Sequence, residues 1–239
     1  MKTCYVFACG PSIKDQDLKK IKDNPCVTIS NFFVHPEFQN MNVKYHIFGH
    51  LHHPITYEMG VAWFKECETC VNKKTKVLIH IKDKHIVTNN NLFVNNEVIY
   101  WDNDGQFPET IPNRMGHYET IAQIGLQMGY YVAKQESIDQ VLVMGIDHSW
   151  VNHIGETKHF YDESQSVLSR MGYNEWFWFT GRGGVCNDSD LERQKNILNQ
   201  MNNSYREYGE LCEKRGVSVY NGTPNSLITG LKFFKNTVQ

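Results

Sequence analysis

Short apolar runs recur along the chain, at Cys4–Ala8, Cys26–Ile29, Tyr45–Phe48, Val77–Ile81, Val141–Met144 and Val217–Tyr220, and polar stretches with helical spacing separate several of them. Strands that are apolar along their whole length belong in parallel sheets covered on both faces. The expected fold is therefore α/β and Rossmann-like, with a mostly parallel sheet, helices on both faces and one domain spanning residues 1–239. Asp15-Gln-Asp-Leu-Lys-Lys-Ile21 predicts a first short helix, its acids early and its lysines late as the helix dipole prefers, stopped by Asn24-Pro25. Ile121, Ile124, Gly125, Met128 and Val132 predict another, in which Gly125 and Gly129 permit close approach to the sheet. Ser189-Asp-Leu-Glu192 reads as a capping box opening a long helix with Leu198, Met201, Tyr205 and Tyr208 on its apolar face, ending at Gly216.

Three stretches break this rhythm. Residues 83–115 are rich in asparagine, and Leu92, Val94, Val98 and Tyr100 alternate, which predicts an inserted hairpin or irregular β segment. Residues 149–188 hold many aromatic rings without a clean period, followed by Gly181-Arg-Gly-Gly184, as a lid over a crevice would. The tail Leu231-Lys-Phe-Phe-Lys235 mixes bases with aromatics; a docked C-terminal helix is expected, with peripheral membrane contact as the other reading of that composition.

The formal net charge is −2 and the sequence pI about 6.6, so there is no global basic field to hold nucleic acid. No run of 18 apolar residues occurs, and Met1-Lys2-Thr3 leads into the first strand without a signal-peptide layout, so a cytoplasmic protein is expected. The seven cysteines are then reduced thiols. Cys67-Glu-Thr-Cys70 lacks the second ligand pair that a zinc site needs, and His50-Leu-His-His53 lacks a matching carboxylate, so no metal is expected.

Ligands of open parallel sheets bind beyond the carboxyl ends of the strands. After the first strand come Cys9, Gly10, Pro11 and Ser12, a strand-to-helix turn whose free backbone N–H groups would suit an anion. It is neither a Walker A loop nor a dinucleotide fingerprint. Later strand ends carry Asn31, His50, Asp147 with His148, and Thr223-Pro-Asn-Ser226. Asp147 is placed to bind a metal, to hold ribose or to orient its loop. His148 and His159 are the candidates for proton transfer, because imidazole titrates near neutrality.

Taken together, Ala8-Cys-Gly-Pro-Ser-Ile-Lys14, Ser30-Asn31, Met144-Gly-Ile-Asp147 and Tyr220-Asn-Gly-Thr-Pro-Asn-Ser-Leu227 resemble the bacterial family 42 sialyltransferases. They also resemble the wider clan that holds proteins like 6-hydroxymethylpterin diphosphokinase, and Gly145-Ile-Asp-His148 with His159-Phe-Tyr-Asp162 looks close to that branch. The resemblance implies inverting, metal-independent transfer of a sialic acid or related keto-acid sugar from a CMP-activated donor to a surface-glycan acceptor, with no cofactor. It puts the nucleotide on Cys9, Gly10, Pro11, Ser12, Asn31, Asp147, Thr223, Pro224, Asn225 and Ser226, and the donor and acceptor sugars on His50, Trp150 and Tyr161. His159 fits the family's general base, with His148 as the second candidate or as a cationic partner for the leaving phosphate. The family tendency adds a homo-oligomer. Four positions depart from the family pattern: Cys9 and His50 stand where asparagines are usual, and Ser149-Trp150 replaces a pair of tyrosines. Two other readings remain: a diphosphokinase-like enzyme using ATP and Mg²⁺ held by Asp147 with Asp162 or Asp104, and a non-catalytic nucleotide-sugar binder.

Overall fold

The computed structural model describes residues 2–149, 159–173 and 188–234. Among them, eight strands form one all-parallel sheet: β1 (Cys4–Phe7), β2 (Cys26–Ile29), β3 (Val43–Ile47), β4 (Lys76–His80), β5 (Val98–Trp101), β6 (Gln140–Met144), β7 (Ser218–Asn221) and β8 (Lys232–Phe233). Their order is β5-β4-β3-β2-β1-β6-β7-β8, so the chain reverses direction across the sheet between β1 and β6. The α-helices are α1 (Tyr57–Cys70), α2 (Lys84–Asn89), α3 (Ile121–Gln135), α4 (Val167–Arg170) and α5 (Asp188–Glu213). The fold is the expected Rossmann-like α/β arrangement.

Every residue of β1 is buried, as a central parallel strand demands. Its side chains alternate between two cores. Cys4 and Val6 face a core shared with Met128 of α3 and Tyr205 of α5, while Tyr5 and Phe7 face one shared with Phe64 of α1 and Ile86 of α2. A Cβ on Gly129 would lie 2.5 Å from Val6 Cγ2, and one on Gly125 would lie 2.9 Å from Val6 Cγ1. The two glycines therefore let α3 settle directly onto β1, as expected. Its first turn is closed by a capping box between Thr120 and Gln123.

Four expectations need correction. The segment after β1 holds two 3-10 turns, Pro11–Asp15 and Leu18–Ile21, instead of an α-helix. A three-residue repeat puts Leu18 and Ile21 on one buried face in very little chain. Residues 83–115 form no hairpin, although Val98 and Tyr100 do lie in a strand: α2 leads to β5, which pairs with β4 in parallel. The alternation around Leu92 and Val94 belongs to a turn with Asn91 and Phe93 at positive φ, which buries Phe93 and leaves Val94 exposed. Helix α5 begins at Asp188, so Ser189 lies in its first turn and not at its N-cap. The tail adds the edge strand β8 to β7 instead of docking as a helix, with Phe234 N–H donating to Asn221 O at 2.9 Å.

Between the two ends of the expected lid, residues 159–173 are described; Trp150 and the glycine-rich stretch lie outside the described residues. This part is docked. Phe160 and Leu168 are buried, and Arg170 pairs with Glu66 of α1 at 2.6 Å. No described helix is long and apolar enough to cross a membrane.

Candidate functional site

The carboxyl ends of β1 and β6 flank the reversal in strand order, where open α/β sheets take their ligands. There the Gly10–Ser12 turn meets the loop after β6. Gly10 N–H donates to Gly145 O at 2.9 Å, and the Ser12 N–H and hydroxyl donate to the two oxygens of Asp147 at 3.2 and 2.8 Å. Pro11 has no N–H, so the turn's donors are taken internally. The expectation of free N–H groups is thus overturned: Asp147 occupies the position an anion would seek. Gly10 is needed for this approach, since a Cβ there would lie 1.9 Å from Asp147 Oδ2. Asp147 orients the loop, the third of its expected roles. Burial raises its pKa, and the Ser12 bonds oppose that rise.

The loop after β7 braces the same point. Thr223 Oγ1 accepts from Ile146 N–H at 3.1 Å, Ser226 Oγ donates to Ile146 O at 2.5 Å, and Leu227 N–H donates to Asp147 O at 3.1 Å. Thr223 and Ser226 are buried. Their polar side-chain atoms hold the β6 and β7 loops together and are engaged within the protein. Pro224 and Asn225 are exposed, with Asn225 at φ 56°.

Asn31 is likewise engaged. It sits in a 3-10 turn, Ser30–Val34, where its Oδ1 accepts from the Trp63 indole and its Nδ2 donates to Tyr161 Oη at 2.9 Å and Ser166 Oγ at 3.2 Å. Asn31 therefore clamps α1 and the 159–173 segment to the end of β2, and its side chain is spoken for by the protein. The same clamp delivers His159 to the end of β1. Its Nδ1 lies 3.3 Å from Cys9 O, and its ring stacks on Tyr161 with centroids 4.7 Å apart. Cys9 itself points its thiol at Ile29 O, 3.5 Å away. A proton on His159 Nδ1, donated to Cys9 O, leaves Nε2 with the lone pair a base requires.

His148 does not suit the roles expected of it. Its Nε2 is sealed from solvent without a hydrogen-bond partner, and burial pushes the ring's pKa down to about 4. The ring is neutral at pH 7 and gives a leaving phosphate no positive charge. The acids of the kinase reading are each held elsewhere: Asp147 by Ser12, Asp104 by Arg114 at 2.9 Å, and Asp162 as the cap of its own turn through Ser164.

His50 has the carboxylate that its neighbourhood in sequence lacks. Its Nδ1 lies 3.1 Å from both oxygens of Asp83, and its ring lies 5.0 Å from that of His80. His80 and Asp83 do not stand out among the polar residues of the sequence, although the strand-end rule applied to β4 finds both. Trp63 and Ser166, the partners of Asn31, carry no signal in the sequence.

Comparison with protein-family models and with curated proteins finds no match to this chain.

Proposed function

We propose that the protein transfers a sugar from a CMP-activated donor to a glycan hydroxyl, with His159 as the general base. The observation that carries this reading is the setting of His159: a half-buried imidazole at the carboxyl end of β1, tied to Cys9 O through Nδ1 and stacked on Tyr161. The sequence resemblance supports it independently. In this reading Nε2 takes the acceptor proton as the donor's anomeric carbon opens, and the acceptor oxygen bonds to that carbon as the CMP phosphate leaves. The donor lies over the Pro11 and Pro224 turns, with its phosphate outside the position that Asp147 fills.

That filled position favours a second reading, a nucleotide-sugar binder without turnover, because a turn satisfied by its own carboxylate has no N–H left for a leaving phosphate. Thermal shift with CMP, CDP, UDP, GDP and ATP tests both. Stabilisation by CMP or CDP is expected, and silence across the series overturns both readings. Donor turnover then separates them: for the transferase, His159→Ala reduces it by roughly a hundredfold. Unchanged turnover in a folded His159→Ala variant removes the base assignment.

A further inference from the structure

We propose that His50, His80, Asp83 and Asp102 form a binding site for one divalent transition-metal ion, a site that stands whether or not sugar transfer occurs. One ligand atom from each of His50, His80 and Asp83 lies within 4.8 Å of the others. Asp102 stands beside this trio, its Oδ1 3.7 Å from His80 Nε2 while accepting Asn103 N–H at 2.8 Å. The four residues come from neighbouring strand ends: His50 follows β3, His80 closes β4, Asp83 ends the 3-10 turn Ile81–Asp83, and Asp102 follows β5. Parallel pairing of β3, β4 and β5 brings them together, with His80 in register with Trp101.

The chemistry of this group calls for a cation. Asp83 and His80 are 3% and 2% exposed. The Asp83 carboxylate receives Leu51 N–H at 2.9 Å and faces His50 Nδ1, and among the described residues no lysine or arginine forms an ion pair with Asp83 or Asp102. A buried carboxylate is costly unless a positive charge compensates it. A neutral imidazole is the form that ligates. Two imidazoles and two carboxylates suit Zn²⁺, Co²⁺ or Mn²⁺ better than Mg²⁺, which prefers oxygen. His50, with its side chain 36% exposed, leaves the group open to solvent on one side. Ligation through His80 Nε2 puts the ring proton on Nδ1 and opens the long 3.3 Å contact from Lys82 N–H.

The test uses the full chain, reduced and stripped with EDTA, then titrated with Co²⁺ and followed by visible absorption and calorimetry. One equivalent should bind and give ligand-field bands without a sulfur-to-cobalt charge-transfer band, which sets the site apart from the cysteines. His50→Gln and Asp102→Asn change partly exposed residues and should keep the fold, verified by circular dichroism, while weakening binding roughly tenfold or more. His117→Gln, at an exposed histidine paired with Glu119, is the control and should bind as the unsubstituted chain does. The proposal is overturned by no stoichiometric binding, by a thiolate signature, or by binding that both folded variants retain in full.

Discussion

Ser12 and Asp147, 135 positions apart in the chain, meet through two hydrogen bonds at the point where the strand order reverses. The carboxylate is the negative partner of a turn that would otherwise attract a phosphate. Asp147→Asn preserves the shape and removes the charge. CMP should then bind more tightly and produce a larger thermal shift than with the unsubstituted chain. A smaller shift would mean that Asp147 itself holds the nucleotide.

Gly10 permits that meeting. Its φ of −65° is ordinary for any residue, so the consequence of Gly10→Ala is steric alone. The new Cβ would lie 1.9 Å from Asp147 Oδ2 and 2.4 Å from Gly145 O. Destabilisation of about 2 to 3 kcal/mol is expected in urea unfolding. Combining it with Asp147→Ala should recover only part of the loss, because the Gly145 carbonyl remains.

Asn31 joins three elements, so its removal should act at a distance. In Asn31→Ala the Trp63 indole, Tyr161 hydroxyl and Ser166 hydroxyl all lose a partner, at a cost of about 1 to 3 kcal/mol. Hydrogen exchange should show residues 159–173 opening before the sheet does. Uniform loss of protection across the chain would mean that Asn31 supports the fold globally and is not a local clamp.

The approach of α3 to β1 gives a repairable lesion. Gly129→Ala would set a Cβ 2.5 Å from Val6 Cγ2 and 3.1 Å from Val141 Cγ1, and should cost about 1 to 3 kcal/mol. Adding Val6→Ala removes the nearer methyl. The double variant should therefore be more stable than the sum of the two single losses predicts, measured as a coupling in a double-mutant cycle.

The same two glycines show what was legible in the sequence. Helix α3 and the strands announce themselves by local spacing, and a glycine in a helical run next to apolar strands already implies close packing. The Leu92 and Val94 alternation misleads because a turn with two positive-φ residues produces the same spacing as a strand. The site is less legible, for a different reason. Thr223, Ser226 and Asn31 have the polarity of ligand-binding residues, and whether such groups face a ligand or brace a loop depends on which distant loop arrives beside them. His50 and Asp83 are 33 positions apart, and only the pairing of β3 with β4 makes them neighbours.

Two imidazoles with lowered pKa values make the fold less stable in acid. His46 is fully buried, with Nδ1 2.8 Å from Thr28 Oγ1, and its pKa is pushed down to about 3; His148 is pushed down to about 4. Burial is the leading cause in both. In the unfolded chain both titrate near about 6.5. Above that pH neither state binds the proton, and the histidines do not affect stability. As pH falls through about 6.5 the unfolded chain takes up protons that the folded state refuses, so stability declines until the folded values are reached. For His46 the decline between pH of about 6.5 and 4 amounts to about 3 kcal/mol, at about 1.4 kcal/mol per tenfold change in proton activity. The urea midpoint should therefore drop steeply over that window. His46→Gln should start less stable at pH 7, having disturbed the Thr28 contact, yet lose less on acidification. Equal slopes for the two proteins would show that the carboxylates, and not His46, control the acid transition.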